Sequence, residues 1–166
     1  MKNKYRFLHA LCLYAALTSV PILAADVGKN VSDFSVTTVK GQTLNFKTQQ
    51  LKKPIYLKFW ATWCSYCTEE MPHFEQSFQT YQDKMDFVAV NVGMNDSVAR
   101  ANKYFSRHGF QVPLVFDEFG DTVGHFNVKG TPLHVLIDKN GQVIHRSALI
   151  TDALKRKLAE LVKGSN

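Results

Sequence analysis

The chain has 166 residues, 45% hydrophobic and 20% charged, ordinary values for a globular domain with one sizeable core. Its formal charge of +6 is front-loaded, because Lys2, Lys4 and Arg6 all precede the first acid, Asp26. The remainder mixes both signs with no run of five or six like charges, so a nucleic-acid footprint is excluded in favour of a mixed solvated surface.

The N-terminus reads as an export signal. Lys2, Lys4 and Arg6 form a positive region, Phe7 to Leu23 is apolar apart from His9 and Pro21, and Ala24-Ala25 offers small residues for cleavage. Leu23 or Ile22 stands where a small residue is preferred, so an uncleaved anchor is the alternative; ~20 apolar residues can span a bilayer. Residues 1–25 are therefore assigned to the signal and 26–166 to one extracytoplasmic, periplasmic domain, in contact with the membrane only if the signal stays attached. Cys12 lies inside the signal and lacks the small residues that would mark a lipid-attachment site. The exported part then holds two cysteines, Cys64 and Cys67. One close pair is not a disulfide framework, and a domain of this size needs no staple.

In chain order, Phe34 to Val39 and Thr43 to Phe46 are β-rich runs around Lys40-Gly41-Gln42 and predict a hairpin. Gln49 to Pro54 is a polar loop. Ile55 to Ala61 is apolar on both faces except for Lys58, the pattern of a central strand in a sheet covered on both sides. Met71, Phe74, Phe78 and Tyr81 recur at helical spacing, predicting a helix over 65–82 with a kink at Pro72. Met85 to Val92 is a second strand, and the strand–helix–strand order implies a parallel crossover. A helix capped at Asn95-Asp96-Ser97 runs to His108 and closes at Gly109. Pro113 to Phe116 reads as a strand and Glu118 to Phe126 as a short helix. Leu133 to Ile137 and Gln142 to Arg146 flank Asp138-Lys139-Asn140-Gly141, a hairpin turn. Asp152 to Val162 is a terminal amphipathic helix.

The Cys64-Ser65-Tyr66-Cys67 spacing admits zinc binding, a structural staple or redox chemistry. A zinc site needs two further ligands, and His73, His108, His125, His134 and His145 are scattered. A staple closing so short a loop constrains the unfolded chain little. Redox chemistry fits best. Cys64 stands where a strand gives way to a helix, whose amides and dipole favour a thiolate, and Cys67 is placed to resolve a mixed disulfide. Trp63 and Tyr66 either rim the site for an extended polypeptide or pack into the core. His134, two residues beyond Pro132, is expected to be a passive strand residue rather than a neighbour of the site.

Phe59-Trp60-Ala61-Thr62-Trp63-Cys64, Glu70-Met71-Pro72, the inserted helix, and Gly130-Thr131-Pro132 running into Ile137-Asp138-Lys139-Asn140-Gly141 resemble the thioredoxin fold in its TlpA/ResA-like extracytoplasmic branch. The resemblance implies an α/β fold: a central mixed β-sheet flanked by helices on both faces, with an N-terminal β-hairpin and an inserted βα element. It implies that Pro132 is cis and faces the cysteines, and that Thr131 pairs with a substrate chain. Thioredoxins carry a buried Asp where this chain has Lys58. The ResA-like branch instead has a Glu three residues after the second cysteine, matched by Glu70. Glu70 is the expected proton acceptor for Cys67. Lys58 either pairs with Glu70 and tunes the site, or snorkels to solvent.

The expected activity is a thiol-disulfide oxidoreductase with no cofactor beyond its redox-active disulfide. It would reduce exported cysteine-containing clients, apocytochrome c among them by analogy, with electrons from a membrane thiol-disulfide donor. The alternatives are a dithiol oxidase that donates disulfides and, from another class, a Cu(I)-binding module on the same cysteines. A peroxidase of the peroxiredoxin type would carry Thr where this chain has Ala61.

Overall fold

A computed structural model describes residues 26–47 and 51–164. The expected signal, residues 1–25 with Cys12, and part of the expected loop at 48–50 lie outside the described residues. The elements in order are β1 (Phe34–Thr37), β2 (Thr43–Phe46), β3 (Ile55–Trp60), α1 (Ser65–Tyr81), β4 (Asp86–Asn91), α2 (Val98–His108), β5 (Leu114–Phe116), α3 (Asp121–His125), β6 (Leu133–Ile137), β7 (Val143–Ser147) and α4 (Asp152–Lys163).

The five-stranded sheet has the order β5-β4-β3-β6-β7, and β1 and β2 form a separate hairpin. β4 lies parallel to β3 and to β5, while β6 runs antiparallel to β3 and to β7. The parallel β3–β4 pair is the expected crossover, made by α1. β3 is thus the central strand, and all six of its residues are buried, as its apolar run requires.

Alternation along β3 divides the core in two. Tyr56 and Trp60 point into a cluster with Cys67, Met71 and Phe74 of α1, Ala101 and Phe105 of α2, and Leu154, Leu158 and Val162 of α4. Ile55, Leu57 and Phe59 point the other way, into a cluster with Val36 and Phe46 of the hairpin and with Phe126. Three helices therefore cover one face, and the hairpin with the short α3 covers the other. α3 is shorter than the expected 118–126, because Asp117, Glu118 and Phe119 form the turn into it and Gly120 caps it at φ 76°.

α1 runs as one helix from Ser65 to Tyr81 with Pro72 inside it. Proline has no N–H for the carbonyl four residues back, that of Thr68. The Tyr104 hydroxyl of α2 donates to this carbonyl at 2.9 Å. The inserted helix thereby satisfies the acceptor that the proline leaves open, at the turn of α1 that carries Cys67.

Candidate active site

β3 ends at Trp60 and α1 begins at Ser65, so four residues make the junction that presents the cysteines. Asp96 holds this junction. Its carboxylate accepts from the Thr62 amide at 2.7 Å and the Thr62 hydroxyl at 2.8 Å, and also from Asn91 Nδ2 and the Ser97 amide. These donors outweigh the cost of its burial and lower its pKa. The sequence marks Asp96 only as part of a helix cap; its bonds to Thr62, 34 residues earlier, depend on β4 lying beside β3.

Cys64 and Cys67 are joined as a disulfide, with Cα atoms 5.2 Å apart. The two sulfurs are not equivalent. Cys64 is the N-cap of α1 and its Sγ accepts from the Cys67 amide at 3.2 Å. A thiolate there meets the amides of the first helical turn. Cys64 is 8% exposed and Cys67 0%.

Around the pair, Trp63 is 52% exposed and Tyr66 62%. The core-packing alternative for these two aromatics is thereby overturned: a tight N-terminal turn aims both rings outward. The Trp63 indole is fixed by donating to the Met94 carbonyl at 2.8 Å. The Thr131–Pro132 peptide is cis. Pro132 is buried, and the neighbouring Thr131 Oγ1 is a buried atom with no hydrogen-bond partner. Between Trp63 and Thr131 lies a groove of about 380 Å³ that also includes Met94, Phe119 and Gly130. Met94 and Phe119 are exposed large apolar side chains.

Beneath the cysteines lies a buried polar layer. Lys58 is fully buried and its Nζ donates to Glu70 Oε2 at 3.1 Å. The snorkelling alternative fails because β3 is covered on both faces, so the stem has no route to water. His134, read as a passive strand residue, is instead part of the site. Antiparallel pairing sets it opposite Lys58, and its Nε2 lies 2.9 Å from Glu70 Oε2. The other ring nitrogen, Nδ1, lies 2.9 Å from the Tyr56 hydroxyl. Burial, reinforced by the Glu70 charge, raises the Tyr56 pKa well above its ordinary value. The phenol therefore keeps its proton and donates to Nδ1, which leaves the ring proton on Nε2 and directs it at Glu70.

The other carboxylate oxygen, Glu70 Oε1, accepts from the Ile150 amide at 2.6 Å. Burial alone would raise the Glu70 pKa. The hydrogen bonds from His134 and Ile150 and the Lys58 charge overcome that and hold it at about 2. For Lys58 the balance is reversed: burial lowers the pKa, the Glu70 charge and hydrogen bond restore part of it, and the result is about 8. Burial also lowers the His134 pKa, so the ring is neutral at pH 7. Among the described residues, no group of three or more His, Cys, Asp or Glu is arranged to hold a metal ion.

A family model described as AhpC/TSA matches residues 27–146. The thiol-disulfide oxidoreductase ResA of Geobacillus kaustophilus is 34% identical over 121 residues, 72% of this chain and 68% of that protein. ResA of Bacillus anthracis is 29% identical over 139 residues, 82% of this chain and 77% of that protein. Among solved structures, MTB dsbF superposes with a TM-score of 0.67 at 27% identity, covering 77% of this chain and 94% of that one. StoA from Bacillus subtilis shares the fold, with a TM-score of 0.66 at 18% identity over 76% of this chain and 96% of that one. A bonded Cys-x-x-Cys capping the first helix of such a sheet is the working part of a thiol-disulfide oxidoreductase, and the chain belongs to the AhpC/TSA family as a relative of the ResA enzymes.

Proposed function

We propose that the protein works outside the cytoplasm as a reductase of disulfides in exported, cysteine-containing proteins. The observation that carries the reading is the asymmetry of the pair: a helix-capping Cys64 that keeps a small exposed surface beside a Cys67 with none. In the reduced protein Cys64 attacks a client disulfide as the thiolate, giving a mixed disulfide. Cys67 then attacks Cys64 Sγ and releases the reduced client. Trp63, Tyr66, Thr131 and Pro132 receive the client, with the groove beside Trp63 taking the flanking residues. Lys58 and Glu70 form an ion pair beside the turn of α1 that carries Cys67. Export rests on the charged and apolar pattern of residues 1–25; among the described residues no helix is long and apolar enough to cross a membrane. A membrane thiol donor would return the pair to the dithiol. Apocytochrome c is a candidate client by analogy with the TlpA/ResA-like branch.

Two measurements test this. A Cys67→Ser variant is expected to accumulate mixed disulfides with its clients, identifiable by mass spectrometry, whereas Cys64→Ser traps none. The reduction potential is expected to lie well below that of a dithiol oxidase. A value near about −120 mV, the range of a strong disulfide donor, would replace the reductase reading with the oxidase one.

A further inference from the structure

We propose that Lys58, and not Glu70, takes the proton that Cys67 loses when it resolves the mixed disulfide. The inference rests on the reading that Cys64 attacks and Cys67 resolves.

Glu70 is poorly built to accept a proton. Oε2 already accepts from Lys58 Nζ at 3.1 Å and from His134 Nε2 at 2.9 Å. Oε1 accepts from the Ile150 amide at 2.6 Å. Tyr56 fixes the tautomer that keeps the His134 proton on Nε2. Protonating the carboxyl would set its O–H against a donor already in place. A carboxylate so held is an anchor, and it stays ionised through the cycle.

Lys58 has the opposite character. Its Nζ is fully buried, and among the described residues Glu70 Oε2 is the one acceptor it reaches. As an ammonium it holds three N–H donors, of which one is satisfied. As a neutral amine it keeps that bond and gains a lone pair. Buried, under-partnered lysines are general bases for this reason. Its position is also suitable. Lys58 lies between Tyr56 and Trp60 in β3, and both of these pack in the cluster that contains Cys67 and Met71. The amine thus lies on the α1 face of β3, bonded to Glu70, which follows Cys67 by about one helical turn. The titratable groups around it are Glu70 from α1, His134 from β6, Tyr56 on its own strand, and His145 of β7 beyond His134; Cys67 stands three residues before Glu70 on the same helix and in the same core cluster as Tyr56 and Trp60. On the β4 side its register partner is Ala89, which has no charge to offer.

The step balances as follows. In the mixed disulfide, Cys67–SH gives its proton to the Lys58 amine, forming a thiolate and an ammonium that stays bonded to Glu70. The Cys67 thiolate attacks Cys64 Sγ, the Cys64–Cys67 bond forms, and the bond from Cys64 to the client breaks. The client sulfur leaves with the electron pair as a thiolate and is protonated by water. The client disulfide has then gained two electrons from the enzyme dithiol, and Lys58 returns its proton to solvent. A base whose pKa lies close to working pH suits such a transfer, and burial brings Lys58 to about 8.

The test uses the full chain and a small aromatic disulfide whose two thiols are released in sequence. Stopped-flow kinetics then separate the Cys64 attack from the Cys67 resolution. Lys58→Met is expected to slow resolution at pH 7 roughly a hundredfold, with a rate that keeps rising with hydroxide beyond pH 9. Glu70→Gln is expected to keep the resolving step and to move its inflection below that of the wild type, because the charge that raises the Lys58 pKa is gone. In the oxidised wild-type protein with 13C-labelled lysine, one Cε resonance is expected to titrate near 8, away from the surface lysines; this reading needs no substitution. An unaltered pH profile in Lys58→Met, a resolving step lost in Glu70→Gln, or a Lys58 that titrates with the surface lysines would overturn the assignment. Failure of the wild type to release the first thiol is a different result, since it removes the parent reading as well.

Discussion

At the scale of single residues, Glu70 links the site to the stability of the fold. Its carboxyl titrates near 2 in the folded protein against 4.5 ordinarily. A depressed carboxyl pKa contributes stability that is complete above the ordinary value and is lost as pH falls through the folded one. Wild-type protein is therefore expected to lose on the order of 3 kcal/mol between pH 4.5 and 2 from this group alone. Glu70→Gln is expected to flatten that stretch of the curve, read by urea unfolding at each pH; equal slopes in both proteins would show that the carboxylate is not held as described. Lys58 acts in the opposite range. Its lowered pKa means that the unfolded chain binds more protons between about 8 and 10.5, so its contribution to stability grows as pH rises through that window. Cys64, Cys67 and Glu70 were all legible in the sequence from spacing and resemblance. His134 was not, because nothing local to Leu133-His134-Val135 says what lies across the strand. Its role follows from the β3–β6 register, which sets Lys58 against His134.

At the scale of elements, α1 and α2 are joined by one bond that the sequence does not announce. Pro72 removes the amide that would pair with the Thr68 carbonyl, and the Tyr104 hydroxyl takes that place. Tyr104→Phe keeps the ring and deletes the donor, so it is expected to cost about 1 kcal/mol. Hydrogen exchange should quicken in the first two turns of α1 more than in α4; a uniform change would argue against a local tie. Helical spacing revealed both helices, because Met71, Phe74, Phe78 and Tyr81 on one and Ala101 and Phe105 on the other keep a 3.6-residue period. What the local pattern could not show is the compensation at Pro72: the carbonyl that the proline frees is taken by a partner 36 residues away.

At the scale of the whole molecule, the sheet separates two cores with different tasks. The α1 face carries the chemistry, and the hairpin face is apolar ballast locked by Phe126. This ring is fully buried and packs against Phe34 of the hairpin and Phe59 of β3, with centroids 5.1 Å and 5.6 Å away. Phe126→Ala is expected to cost 3–5 kcal/mol, the usual range for a buried Phe. The loss would show as a lower thermal midpoint while the potential of the disulfide stays close to that of the wild type, since the two cores lie on opposite sides of β3. A large shift in potential would mean that the layers are coupled. The order of strands and helices, and hence the architecture, was readable from alternation and turn residues. The carboxylates that fasten distant loops were not. Glu75, for example, accepts from the amides of Gln111 and Val112, and an exposed-looking Glu in a helix gives no hint of that.

The bond from Ile150 to Glu70 Oε1 has a practical corollary for anyone who edits the end of this chain. Ile150 directly precedes Thr151, which caps α4, so the last helix is moored to the carboxylate that also holds Lys58 and His134. Trimming α4, grafting a partner onto it or redesigning its first turn therefore amounts to remodelling the redox centre from behind.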